Sequence, residues 1–467
     1  LLLGPDAVHT VAVKSPEYGL AVCALGLEKV CQNEIERIGL RAAGREPGRV
    51  RFVLGGPDGV SPDGIGPEKA AASLMRANLC LRSAERVLVE AGRFRALDFD
   101  QLFETVRSLP WELYFRREDR LVIERVRIKS SRLAAQTSVQ SVVHKAVYER
   151  LCSIYKIVRM SETGRERGLR VYLDTDDCLL GLDTSGEALH KRGYRLAIAQ
   201  APLKETIAAG MLFLSGWNRR LPLLDPFCGS GTIAVEAALF AMDRAPGLGR
   251  AFALEDMPFA QGEGRGGPLA GPLAGPLAGE VEAAKARVRR DAEFRIVGTD
   301  ADPRALEAAR ANAARAGVAA GLELRLGKAE DSAPAYEVGS LICNPPYGER
   351  MGTVQESEAL YRRLGEMSAR FSGWGLGFVT NRPDFGDFFG RFAPVAHKII
   401  NGAEEQWFHW YPAGSESELG RRPEEPRARS ARPQSRDGRQ KEASHPSPRG
   451  AWQGPDKPGW KSRKPPQ

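Results

Sequence analysis

The sequence predicts a Rossmann-like α/β domain, a doubly wound parallel sheet, preceded by a smaller α+β region. Three observations carry this. A short apolar strand, Leu221 to Leu224, runs through Asp225-Pro-Phe-Cys-Gly-Ser-Gly231 into Thr232–Leu239, which is rich in good helix formers. A second strand, Ile296-Val297, leads to Asp300, after which Asp302 caps a helix whose first residue is Pro303. A fourth strand, Ser340-Leu-Ile-Cys343, runs into Asn344-Pro-Pro-Tyr-Gly348. In open α/β sheets ligands bind beyond the carboxyl ends of the strands, where a glycine turn lets the backbone approach them.

Composition bounds the class. At 467 residues the chain has room for two or three domains, and 42% hydrophobic with 27% charged residues is ordinary for a globular protein. No apolar run reaches membrane-spanning length, and residues 1–18 lack the features of a secretory signal. The chain opens on Leu1 without a Met, as a fragment or a misassigned start would. The seven cysteines form no C-x-x-C pair, which argues against zinc or disulfides and for a reducing cytoplasm. Residues 413–467 carry 13 Lys and Arg against 7 Asp and Glu, +6 of the net +8. A nucleic-acid surface on the folded body must therefore be a local patch.

In order, Leu20–Leu25 reads as a strand, Gly26–Gly39 as a helix with apolar positions at helical spacing, and Arg49–Leu54 as an alternating strand. Gly55–Gly66 is a Gly- and Pro-rich connection, Lys69–Arg82 a helix, Ala84–Val89 a strand and Leu102–Leu109 a helix. Leu121–Lys129 is a strand, Ser138–Cys152 an amphipathic helix, and Gly168–Asp174 with Asp177–Thr184 a strand pair. Basic residues (Arg125, Arg127, Lys129, Arg132, Lys145, Arg150, Lys156, Arg159, Arg165, Arg167, Arg170) are spread over this region as an expected basic surface. They make a phosphate-tracking surface only if they converge on one side.

A helix opened by Pro202 leads to the glycine turn. Beyond it, three Gly-Pro-Leu-Ala units between Gly267 and Gly279 read as part of a flexible insertion over 262–279, with a charged helix Glu280–Arg290 behind it. The sheet resumes with Ile296–Val297, then Gly321–Leu326 as its third strand. After the fourth come a helix Glu358–Phe371, a strand Trp374–Thr380, and a late strand pair, Lys398–Asn401 with Gln406–Tyr411. From Pro412 onward the composition is that of a disordered tail.

The glycine turn is neither a dinucleotide fingerprint nor a phosphate loop, since no G-x-G-x-x-G and no Gly-Lys-Ser/Thr is present. An acid ahead of the glycines favours a ligand with positive charge or hydroxyls. S-adenosylmethionine, with its sulfonium, amino group and ribose, is such a ligand. Asp300 is placed to accept from ribose hydroxyls, although it lies farther past the glycines than the usual twenty or so residues because of the insertion. In Asn344-Pro345-Pro346-Tyr347 the prolines remove two donors and leave carbonyls free. An aromatic amine bound to the Asn344 oxygen and the Pro345 carbonyl is favoured in its lone-pair-bearing form, and Tyr347 offers a ring face to a flipped base. Such chemistry requires no metal. Cys228 and Cys343 flank the site as packing residues.

Given these residues, the chain resembles the bacterial THUMP-domain class I methyltransferases that make N2-methylguanosine in large-subunit ribosomal RNA. It is most similar to the N-terminal half of their fused two-enzyme form. The resemblance covers Tyr18–Tyr411 and rests on Gly26-Leu-Glu, Asp183-x-Ser-Gly-x-x-Leu-His-x-Arg-Gly-Tyr-Arg, Pro202-Leu-Lys-Glu-Thr, Asp225-Pro-Phe-Cys-Gly-Ser-Gly-Thr, Asp243-Arg-Ala-Pro-Gly-Leu and Asn344-Pro-Pro-Tyr-Gly-Glu-Arg. It implies a ferredoxin-like part (19–47), a THUMP RNA-binding domain (48–175) and a class I methyltransferase domain (183–412); outside it the composition leaves a disordered start (1–18) and a basic tail (413–467) peculiar to this chain.

S-adenosylmethionine is the implied cofactor and RNA the implied partner, ribosomal before transfer RNA, in the cytoplasm and away from membranes. The implied cofactor-binding set is Asp225, Pro226, Cys228, Gly229, Gly231, Thr232, Asp300 and Asp331, and the implied catalytic set is Asn344, Pro345, Pro346 and Tyr347. One departure stands out. Relatives place Asp-Ala at the end of the third strand, whereas Lys328-Ala329 falls there, leaving Glu330 or Asp331 as substitutes. Other readings of the motifs are adenine-N6 methylation of DNA or RNA, methylation of a protein glutamine, and a non-catalytic RNA-binding or assembly factor. The last would have let the glycine turn or Asn-Pro-Pro-Tyr decay, and both are intact.

Overall fold

The computed structural model describes residues 16–55, 66–195, 203–262, 275–346 and 353–414. The insertion's core, Pro202 itself, Tyr347 and nearly all of the basic tail lie outside these residues; the helix expected to open at Pro202 starts only at Glu205, after an extended Lys204.

The front half is built on one seven-stranded sheet. Its first part is β1 (Tyr18–Cys23), α1 (Glu28–Arg37), β2 (Arg41–Glu46) and β3 (Arg49–Val53). There follow α2 (Pro67–Cys80), β4 (Ala84–Arg95), α3 (Phe99–Ser108), β5 (Arg120–Lys129), α4 (Gln136–Tyr155), β6 (Glu166–Asp174) and β7 (Asp177–Asp183). The strand order is β2-β3-β1-β4-β7-β6-β5, with β5 and β6 parallel and the other pairs antiparallel. Its core gathers Phe52, Leu74, Trp111, Phe115 and Val143, all essentially inaccessible. The sequence reading missed β2. Its segment, Arg-Ala-Ala-Gly-Arg-Glu, has no alternating apolar residues and owes its strand form to the ladder with β3.

The expected basic surface needs correction. Arg167 is buried, 1% exposed, and ion-paired to Asp119 at 3.0 Å. Arg170 is held by Glu124 at 2.9 Å, and Arg150 by Glu112. Arg125 and Arg127 share one face of the edge strand β5, are exposed, and form no ion pair among the described residues.

The rear half contains α5 (Glu205–Leu214), β8 (Leu223–Asp225), α6 (Thr232–Ala241), α7 (Pro276–Ala286), β9 (Ile296–Asp300), α8 (Pro303–Ala316) and β10 (Leu322–Leu326). It continues with β11 (Gly339–Cys343), α9 (Val354–Ser368), β12 (Trp374–Thr380), α10 (Phe385–Phe389), β13 (Val395–Asn401) and β14 (Glu404–Tyr411). The order is β10-β9-β8-β11-β12-β14-β13, parallel from β10 to β12 and antiparallel in the last two pairs. α5, α6 and α8 cover one face, with Ile207, Ala234 and Ala313 in its core. α9 and α10 cover the other, with Leu364, Phe378 and Phe385. The sheet grows in opposite directions from β8, toward β9 and toward β11. This switch point opens the crevice.

The expectation of a flexible insertion to residue 279 is corrected at its end. The third Gly-Pro-Leu-Ala unit starts α7, with Pro276 in its first turn and Leu277 5% exposed. Leu277 joins Phe252, Leu254, Met257 and Phe259 in the front-half core, and Arg76 grips Glu280 at 2.8 Å. The segment after α6 thus straps the two halves together. Leu25 does the same from the other side, exchanging backbone hydrogen bonds with Ile400 at 3.0 and 3.2 Å.

Candidate active site at the strand ends

Asp225 closes β8 and is 1% exposed. One of its oxygens accepts the Phe227 N–H at 3.2 Å. Burial, reinforced by the negative charge of Asp300, raises its pKa to about 8. An acid kept dry beside a second acid is a receptor for positive charge. Asp300 closes β9, and its oxygens accept the N–H groups of Gly229 at 2.8 Å and Asp302 at 2.9 Å. The second-strand acid is thereby stitched to the first-strand turn.

The turn needs its glycines. Gly229 and Gly231 have φ of 53° and 82°, in the left-handed region. A Cβ on Gly229 would meet nothing within 4 Å, so this part of the turn faces open space. One on Gly231 would lie 3.1 Å from the Ala309 Cβ, because α8 packs against the turn. Asn312, also on α8, donates to the Ser230 carbonyl at 2.9 Å. Sequence reasoning passed over Asn312, although a polar residue within the inward Leu306, Ala309, Ala313, Ala316 stripe was the available signal.

Of the expected donor-side residues, Pro226 and Cys228 are buried beside the turn. Burial, then Asp225 and Asp300, push the Cys228 thiol up, so it remains a neutral packing group. Thr232 is committed elsewhere, its hydroxyl accepting from the Arg195 guanidinium at 2.6 Å. Arg195 belongs to a buried network behind α6. There Glu236 accepts from the Tyr194 hydroxyl at 3.2 Å and pairs with Arg192 at 3.5 Å. Arg82 reaches from the front half to the Arg244 carbonyl at 2.7 Å.

At the third-strand end, Arg363 holds the Glu330 carboxylate at 2.9 Å. Asp331 is exposed and lines a groove of about 670 Å³ with Lys328, Thr299 and Tyr336. Thr299 Oγ1 is buried there without a partner among the described residues.

Asn344 follows β11, the strand next to β8 on the side away from β9. Its Oδ1 is shielded from solvent and meets no hydrogen-bond partner among the described residues. Leaving such an oxygen unpaired costs about 1–3 kcal/mol, so the group is open to an N–H donor. Pro345 is buried and Pro346 half-buried next to it. Burial and then the charge of Asp225 push the Cys343 thiol well up. Among the described residues no His, Cys, Asp and Glu cluster could hold a metal ion.

A methyltransferase domain described as RMKL-like matches residues 192–405, and the RlmL ferredoxin-like domain matches residues 20–55. The chain is 32% identical to "Putative RNA methyltransferase YpsC" of Bacillus subtilis, over 84% of this chain and 95% of that one. It is 36% identical to "Ribosomal RNA large subunit methyltransferase K/L" of Syntrophotalea carbinolica, covering 70% of this chain but only 46% of that one. It therefore spans about half the length of the K/L proteins. Among solved structures, SMU.472 complexed with SAH superposes with a TM-score of 0.73 at 32% identity, over 86% of this chain and 99% of that one. A Listeria monocytogenes protein described as "a predicted N6-adenine-specific DNA methylase" gives 0.74 at 32% identity, over 88% and 99%. The chain belongs to the RMKL-like methyltransferase family, with an RlmL-type ferredoxin-like domain at its front.

Proposed function

We propose that this chain transfers a methyl group from S-adenosylmethionine to the exocyclic N2 amine of a guanine in RNA, with large-subunit ribosomal RNA in the cytoplasm as its substrate. The observation that carries the reading is the Asn344 Oδ1, shielded from solvent and without a partner among the described residues, one strand away from the buried acid Asp225. The K/L relatives named for ribosomal RNA support the substrate class.

The residues present fit the donor. Asp225 would meet its positive charge, Asp300 its ribose hydroxyls, and the open side of Gly229 leaves room for it. When bound, the donor supplies a methyl group activated by a sulfonium. The chain does the rest by positioning. A purine amine is a weak nucleophile because the ring delocalises its lone pair. Asn344 Oδ1 and the Pro345 carbonyl accept its two hydrogens and favour the pyramidal form, while Tyr347 stacks on the flipped base. Residues 48–175 serve as the THUMP-type RNA grip, with Arg125 and Arg127 on phosphates.

Nucleoside mass spectrometry of ribosomal and transfer RNA from a deletion strain tests this. Loss of one N2-methylguanosine from large-subunit RNA is the expected result. Loss of N6-methyladenosine would move the reading to adenine, and an unchanged profile would end it.

A further inference from the structure

We infer that Asn381 reads the guanine edge next to the amine held by Asn344; the inference rests on the function proposed above. β11 and β12 run parallel with Cys343 opposite Phe378. Continued past the two strand ends, which fall at Cys343 and Thr380, that register sets Pro346 level with Asn381. Neighbouring strands lie about 4.8 Å apart, so Asn381 flanks the Asn344-Pro-Pro segment at the same end of the sheet.

The turn that carries Asn381 is pinned from several sides. Thr380 Oγ1 donates to the Arg382 carbonyl at 3.1 Å and accepts the Arg382 N–H at 3.2 Å. His409 Nε2 also donates to that carbonyl, at 3.0 Å. The Arg382 guanidinium binds Asp384 at 2.8 and 2.5 Å and Glu358 on α9 at 3.1 Å. Every polar side chain of Thr380–Asp384 is therefore engaged except that of Asn381. It is exposed and forms no side-chain hydrogen bond among the described residues. A turn pinned in this way, leaving one amide free at the strand end next to Asn344, whose oxygen has no partner among the described residues, presents that amide to the same ligand.

The chemistry selects the base. With the guanine N2 amine on Asn344, N1–H and O6 follow along the same edge. One primary amide matches both, its oxygen accepting from N1–H and its NH2 donating to O6. Beside the adenine N6 amine stand the N1 acceptor and a C–H, which leave the amide at most one bond. A bidentate pair of this kind discriminates bases by about tenfold to a hundredfold.

The test uses the full chain and a synthetic RNA spanning the modified nucleotide, carrying either guanosine or 2-aminopurine riboside there. The analogue keeps the amine but lacks O6 and N1–H. Wild type is expected to prefer guanosine by about tenfold to a hundredfold in kcat/KM. Asn381→Ala should lower guanosine transfer by about tenfold to a hundredfold and transfer to the analogue, whose N1 offers the amide at most one bond, by clearly less, while calorimetric affinity for the donor stays as in wild type. Guanosine transfer within about twofold of wild type in Asn381→Ala, or an equal fall on both substrates, would overturn the role of Asn381 alone. No N2-methylated product from wild type on the guanosine RNA would overturn the proposed function, and this inference with it.

Discussion

At the β8 and β9 ends Asp300 is tied to the glycine turn, whereas at the β11 and β12 ends one asparagine amide each stands open among the described residues. Asp300 spends both oxygens on backbone N–H groups of its own surroundings, and Asn312 holds the turn from behind. On the other side of β8, Asn344 and Asn381 keep unpaired amide groups among the described residues. A donor that is the same in every turnover is served by a prebuilt cradle. An acceptor that must be recognised is served by groups whose hydrogen bonds await it.

The comparison breaks most sharply at Asn344. Asn344→Ala removes an acceptor of the amine and nothing from the donor cradle. Transfer is expected to fall by about a hundredfold to a thousandfold while donor affinity changes less than about twofold. Single-turnover kinetics beside calorimetry would check this, and a matching loss of donor affinity would contradict the division into halves.

Asp225→Asn is expected to do the reverse, weakening donor binding by about a hundredfold. In wild type, donor affinity should rise by up to about tenfold per pH unit on approach to the pKa near 8, as Asp225 ionises, and this dependence should vanish in the variant. Stability moves oppositely. The folded pKa lies above the ordinary 3.8, so the folded state holds the proton more tightly than the unfolded chain. That contribution is full below about pH 4 and is lost as pH rises to about 8, by at most about 6 kcal/mol. Denaturant titration at pH 8.5 should find Asp225→Asn more stable than wild type.

The turn's two glycines separate packing from binding. Gly231→Ala forces a left-handed alanine against Ala309 and should cost more than the roughly 1–2 kcal/mol of the conformation alone. Gly229→Ala faces open space and should cost only that conformational part while obstructing the donor. Equal losses of stability in the two would contradict the geometry.

What could be read from sequence was local. The glycine turn, Asp300 and Asn344-Pro-Pro are each contiguous, and their chemistry follows from a few neighbouring residues. What escaped depends on partners distant in the chain. Thr232 reads as a donor contact, and nothing near it in the chain shows that its hydroxyl also accepts from Arg195. Arg167 looked like surface charge because Asp119, which neutralises it, lies 48 positions away. The last Gly-Pro-Leu-Ala unit looked structureless because Leu277 finds its apolar surroundings only in the front half. Asn381 carries no sequence signal, since its meaning comes from the register of β12 against β11.

The smallest effect lies farthest from the crevice. Arg125 and Arg127 sit on one face of β5 with no ion pair among the described residues, whereas Lys129 and Arg132 on the same edge face Asp174 and Asp176 at 3.8 Å. A cation that already has an acid beside it gains less from a phosphate than one that has none. Replacing both Arg125 and Arg127 by Ala should therefore weaken RNA binding uniformly across sequences and lower the slope of log affinity against log salt by up to about two. Transfer at saturating RNA should be unchanged, because neither residue touches the crevice. An unchanged salt slope would place the RNA on another surface of the front half. A fall in transfer at saturation would mean that this edge also sets the substrate's geometry at Asn344.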